Sequence, residues 1–349
     1  MGEILGLGVT HYPPLSNPDE NMARILKRVL ADPALPEEYR TPSGWPEPMR
    51  REWGNDAGLS AAGRHRAALV QGFKNARRVL DEFDPDFVVI WGDDQYENFK
   101  EDVIPPYCLL AYPGIEAQPW EEYRGPNIWG EPHDKKFRYE GNQEAGKYLA
   151  NALIEAGFDV AYAYRPLHHQ LGHAFMNTLL FLDYERDGFP HPVLPFQVNC
   201  YGRRVIAQEA GVRSLSEQPA EADLDPPSPQ PWRCFDLGAA VARALEASPW
   251  RVALVASSSW SHAFLTPKNY LLYPDVPADR AMYESLQRAD YATWRARPLS
   301  AIEDSGQQEM LNWMCLAGAM DALERRPTET SFVESWIFNS NKCFATFEP

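Results

Sequence analysis

The sequence predicts an α/β protein with a largely parallel central sheet flanked by helices. Two observations lead there. Short runs rich in β-branched residues, such as residues 87–91 and 252–256, are apolar on both faces, as strands covered on two sides must be. Stretches of helical length, apolar every three or four residues, separate these runs. No segment is a clean enough linker to cut the chain, so residues 1–349 are read as a single catalytic domain.

The elements follow in order. Residues 4–9 read as an opening strand. Residues 18–59 are rich in Pro, Glu and Arg, with helix expected over 19–30. Residues 60–83 carry Leu69, Phe73, Ala76 and Leu80 on one helical face, and Asp84-Pro85 turns the chain into the strand at 87–91. A helix over 141–156 ends at Gly157, and a strand follows at 159–164. Helix is expected over 173–183 and strand over 192–198. Residues 214–232, dominated by Ser, Glu, Pro and Asp, read as a solvated loop. Helix over 235–247, strand over 251–257, helices over 278–288 and 305–325, and a tail at 341–347 complete the chain.

Composition narrows the function. The 349 residues include 33 Lys and Arg against 49 Asp and Glu, a formal charge of −16 with no basic stripe to meet phosphates, which argues against nucleic-acid binding. The apolar runs are strand-sized, so no membrane partner is expected. The start lacks the basic and apolar regions of a signal peptide, and the five scattered cysteines form no Cys-x-x-Cys pair. A cytoplasmic enzyme with reduced thiols is expected.

Open α/β sheets bind ligands beyond the carboxyl ends of their strands. Three polar clusters fall there: Thr10-His11-Tyr12, Gly92-Asp93-Asp94-Gln95-Tyr96-Glu97, and Ser257-Ser258-Ser259-Trp260-Ser261-His262. A fourth, Leu167-His168-His169-Gln170-Leu171-Gly172-His173, lies between a strand and a helix. Five of the eight histidines therefore sit in strand-exit loops. His11 with Asp93, Asp94 and Glu97 offers the imidazole and carboxylate donors that suit non-haem Fe(II), whereas Asp93 and Asp94 also suit a capping role. No Gly-x-Gly-x-x-Gly, Walker loop or Gly-x-Ser-x-Gly elbow is present, which removes dinucleotide, nucleotide and serine-hydrolase chemistry.

These clusters, in this order, resemble the class III extradiol ring-cleaving dioxygenases, specifically catalytic β subunits of the protocatechuate 4,5-cleaving type. The stretch from Asp86 to Phe99 is similar to that family's strand ending in Asn-Asp-His. Ile104-Pro105-Pro106-Tyr107, Gly172-His173-Ala174-Phe175, Pro192-Val193-Leu194-Pro195, Ser261-His262 and Leu311-Asn312-Trp313 match further segments across about residues 3–320. The resemblance implies the family's α/β fold, Fe(II) or another divalent metal, and O2-dependent cleavage of a catechol or related small aromatic. It assigns His11 as a metal ligand, places Gln95 where the family has its second ligand histidine, and puts the ligand carboxylate at Asp275, with Asp279 and Glu97 as alternatives. His262 becomes the catalytic acid/base and His173 a catalytic partner that holds substrate or oxygen. It further implies a homo-oligomer and, in place of a separate lid subunit, a lid formed by residues 18–59. The competing expectation is a member of this fold that has lost the iron site and serves as a binding protein or metal-free catalyst. Metal content and oxygen uptake discriminate the two.

Overall fold

The computed structural model describes residues 2–121, 125–210, 214–217 and 219–349. Its strands are β1 (Glu3–Val9), β2 (Phe87–Asp93), β3 (Tyr107–Leu110), β4 (Gly114–Ala117), β5 (Phe137–Glu140), β6 (Ala161–Ala163), β7 (Val193–Val198), β8 (Arg251–Ser257), β9 (Glu329–Val333) and β10 (Lys342–Phe347). Its helices are α1 (Arg24–Leu30), α2 (Glu47–Trp53), α3 (Leu59–Phe83), α4 (Gln143–Glu155), α5 (His173–Leu182), α6 (Arg204–Ala207), α7 (Pro231–Glu246), α8 (Val276–Gln287), α9 (Tyr291–Ala296), α10 (Leu299–Asp304) and α11 (Met310–Ala322).

The main sheet runs β6-β3-β7-β2-β8-β1-β10-β9, and β4 and β5 form a separate antiparallel pair. The four central strands β7, β2, β8 and β1 are parallel. β10 and β9 join antiparallel on one side, and β3 pairs antiparallel with β7 on the other. The expected parallel sheet is thus the centre of a mixed one. Every residue of β2 and β7 is buried, as their double-sided apolarity demands. One face is covered by α4, α7 and α11 and the other by α3 and α5, which gives two apolar cores. Leu69, Phe73, Ala76 and Leu80 of α3 are all buried, and Asp84 ends that helix in the left-handed region just before Pro85.

The helices α7 and α11 meet backbone to backbone. A Cβ on Gly238 would lie 1.8 Å from the Cys315 carbonyl oxygen, and one on Gly318 would lie 1.9 Å from that of Phe235. Gly238→Ala is therefore expected to destabilise the chain by about 1–3 kcal/mol through overpacking. Urea unfolding checks this; a midpoint equal to that of the native chain would refute the close approach.

Two expectations change. The helix expected over 305–325 shortens to α11, because Gly306 takes a left-handed φ of +66° and opens a turn between α10 and α11. That turn delivers the Gly306 carbonyl to the His262 amide at 2.8 Å. The helix expected over 19–30 shortens to α1 behind a single 3-10 turn. In the loop expected over 214–232, residues 221–223 form a 3-10 turn, α7 begins at Pro231, and Gln218 lies outside the described residues. Among the described residues no helix is long and apolar enough to cross a membrane.

Candidate metal and active site

Parallel pairing brings the strand ends into line. Val9 is level with Ser257, and Trp91 with Ala256. The residues just beyond these positions share one edge of the sheet. His11 follows β1, Asp93 closes β2, and the loop after β8 carries His262.

His11 is 1% exposed. Its Nδ1–H donates to the Ser257 carbonyl at 3.1 Å, with the Ser257 hydroxyl at 3.3 Å. That bond fixes the tautomer and turns Nε2 toward two carboxylates, Glu309 Oε2 at 3.3 Å and Asp93 Oδ1 at 3.8 Å. Asn177 donates to the His11 carbonyl at 3.1 Å and steadies the backbone. Asn312 Nδ2 donates to Asp93 Oδ1 at 3.2 Å, whereas Asp93 Oδ2 is buried with no hydrogen-bond partner.

Glu309 is the hub. Its Oε1 meets His262 Nε2 at 3.1 Å and accepts from the Tyr201 hydroxyl. Its Oε2 accepts from the Ser259 amide at 3.0 Å. Burial opposes its charge, but His262 and His11 outweigh burial and hold this carboxyl well below the usual range. Burial first, and then the Glu309 charge, push Asp93 up to about 7. Burial pulls on His11 as well, yet Glu309 and Asp93 keep it above the ordinary imidazole value.

His173 opens α5. Its ring meets that of His11 edge-on at 5.2 Å, and its Nδ1 pairs with Glu97 Oε2 at 2.9 Å. Both Glu97 oxygens also accept from the His173 amide. Burial would lower His173, but the Glu97 carboxylate carries it up to about 10. His11, Asp93 and His173 offer ligand atoms all within 4.8 Å of one another. His173 and Glu97 also line a cleft of about 530 Å³, together with Arg24, Trp120, His169 and Asn177. A second cavity, of about 440 Å³, lies beyond Phe264 and Gln308 and is lined by none of the clustered residues.

Two expected ligands are engaged elsewhere. The Gln95 side chain leaves the cluster and donates to the Ala210 carbonyl at 3.3 Å. Asp275 caps α8 by accepting from the Ala278 amide, and it pairs with Lys268 at 2.7 Å. Each has a local partner that draws it away from His11. Asp94 accepts from the amides of Glu97, Asn98 and Phe99, the turn-capping role open to it from sequence. The residue that sequence reasoning misses is Glu309. The available signal is a lone acid opening a helix whose residues 310–320 are all buried, which leaves that acid no route to water.

Asp279 does not meet His11 either, but it builds the loop that carries His262. It accepts from the Ser261 amide at 3.1 Å, Gln307 Nε2 at 2.5 Å and Asn341 Nδ2 at 2.8 Å. Asp279→Asn would turn an NH2 against these donors, at about 1–3 kcal/mol for each one left unpaired. Burial pushes this carboxyl from 3.8 up to about 7, so the folded chain keeps a proton that the unfolded chain releases. Stability therefore falls as pH rises across that window, and Asp279→Asn should flatten the fall. Urea midpoints between pH 4 and 8 read both effects; parallel profiles for native and variant would sink the assignment.

Comparison with known proteins finds ring-opening dioxygenases. Residues 224–345 match the family model for the catalytic LigB subunit of aromatic ring-opening dioxygenase, a span that holds β8, His262 and Glu309. A 2,3-dihydroxyphenylpropionate/2,3-dihydroxicinnamic acid 1,2-dioxygenase of Comamonas testosteroni is 28% identical over 61% of this chain and 53% of its own length. The protein of that name from Burkholderia vietnamiensis is 26% identical over 71% of this chain and 79% of its own.

The chain is a relative of the class III extradiol dioxygenases.

These extradiol relatives are dihydroxyphenylpropionate enzymes, not protocatechuate ones. The chain spans about half the length of the relatives from C. testosteroni and Photorhabdus laumondii.

Proposed function

We propose that the chain is a metal-dependent extradiol-type dioxygenase that opens the ring of a catecholic acid with O2. Convergence supports this reading: loops from separate strands bring His11, Asp93 and His262 to one buried point, and His173 joins them at the wall of a cleft. The donors present fit a divalent metal. The buried Asp93 Oδ2 has no partner, and His11 turns Nε2 toward two carboxylates. His11 and the adjoining carboxylates Asp93 and Glu309 are the side chains that would hold the ion, and Fe(II) bound there would supply the electron path between catechol and O2.

The remaining chemistry falls to the chain. Glu309 fixes His262 through Nε2, and Nδ1 is buried with no partner, so Nδ1 is the atom positioned to take a substrate hydroxyl proton. Glu97 keeps His173 cationic, which suits it to hold oxygen atoms that gain negative charge. Arg24 brings the segment 18–59 to the cleft wall, as an intrinsic lid requires. The five cysteines are all free and buried, in keeping with a reducing compartment such as the cytoplasm. A homo-oligomer is expected, and light scattering would read it.

The test combines metal analysis of protein purified without added metal with oxygen uptake on a catechol panel, including one with a propionate side chain. Uptake with formation of a ring-opened acid is expected. A fully metal-loaded protein that consumes oxygen with no catechol would end the reading.

A further inference from the structure

We infer that the ion is held by two carboxylates, Asp93 and Glu309, on either side of His11, and that this centre takes manganese(II) as well as iron(II). The inference rests on the proposed function only in supposing that a divalent metal binds. Two carboxylate oxygens gather at one imidazole nitrogen. Glu309 Oε2 and Asp93 Oδ1 stand 3.3 Å and 3.8 Å from one nitrogen, His11 Nε2. All three side chains are at most 2% exposed.

Burial and hydrogen bonding argue for this set. Two buried carboxylates gathered at one imidazole form a dry, oxygen-rich pocket whose negative charge a divalent ion would balance. Asn312 holds one Asp93 oxygen and leaves the other free, an arrangement that protein atoms alone leave unsatisfied. His173 is committed differently. Its Nδ1 is tied to Glu97, and it lines the neighbouring cleft, which His11, Asp93 and Glu309 do not.

The donor set decides the metal class. Two histidines and one carboxylate suit Fe(II), whereas oxygen-rich sets also suit manganese. One imidazole with two carboxylates lies toward the second kind.

The test uses the full chain stripped of metal and titrated with Mn(II), with free ion read by its electron paramagnetic resonance signal. One Mn(II) per chain is expected. Asp93→Asn should weaken binding at least tenfold, and it is a mild change because the Asn312 bond survives and the other oxygen has no partner to lose. Glu309→Gln should do the same, whereas Gln95→Ala and Asp275→Asn should bind as the native chain does. Spin-echo modulation of the native Mn(II) form, which needs no variant, should show nitrogen from one coordinated imidazole. Two coordinated imidazoles, undiminished binding by Asp93→Asn, or uptake of Fe(II) but not Mn(II) would each overturn the inference. A chain that binds Mn(II) through Asp93 yet opens no catechol would retire the proposed function alone. Catechol cleavage by a chain whose Asp93→Asn variant keeps its full metal affinity would retire this inference alone.

Discussion

His262→Gln is expected to lower turnover by roughly 10²- to 10⁴-fold, the usual worth of a positioned proton-transfer group. Glutamine preserves most of the volume and retains a donor that can reach Glu309, so the loop around Ser261 should hold. The loss falls on Nδ1, the buried atom with no protein partner. Metal content should stay at the native level, because His262 reaches the centre only through the Glu309 carboxylate. Steady-state kinetics beside metal analysis separate the two roles. Loss of metal from this variant would make His262 a ligand and remove it as the proton-transfer group.

His11→Ala should behave in the opposite way and release the metal outright. The expected weakening exceeds the roughly 10- to 100-fold that follows loss of an outer partner of a ligand, because the donor itself is removed. The variant also leaves Asp93 and Glu309 facing each other without the imidazole between them, so it should unfold at lower urea than the native chain at neutral pH. Metal analysis after gel filtration reads the first effect. A variant that keeps one tightly bound ion per chain would exclude His11 as a ligand.

Much of this arrangement is legible in the sequence because strand ends are easy to find. The apolar runs that become β1, β2 and β8 each finish on a polar cluster, and parallel pairing forces those clusters together. His11, Asp93, Glu97 and His262 all follow from that rule, and His173 stands out as the last of a histidine cluster ahead of a helix. Gln95 and Asp275 enter the ligand set only by matching positions along a related family, and side-chain partners that no linear match contains draw both away. Glu309 is hidden for a different reason. It belongs to no strand, and a helix read as continuous across Gly306 leaves no turn to present it. The short strands β3, β4, β5 and β9 also escape, since four or five residues carry too little periodicity to distinguish from loop.

The place of β1 in the sheet has a consequence for biosynthesis. Of the described strands this one is made first, yet its two neighbours are β8 and β10, and its residues pair with Ala256 and with Thr346. A chain leaving the ribosome therefore carries β1 as an unpartnered apolar ribbon until β8, about 250 residues later, has emerged. Contacts of such separation close slowly and expose aggregation-prone edges meanwhile. The bond from His11 to Ser257, 246 residues apart, cannot form any sooner. Assembly of the centre thus waits on β8 and Glu309, and a nascent chain arrested before β8 should show neither metal binding nor a protease-resistant segment around β1.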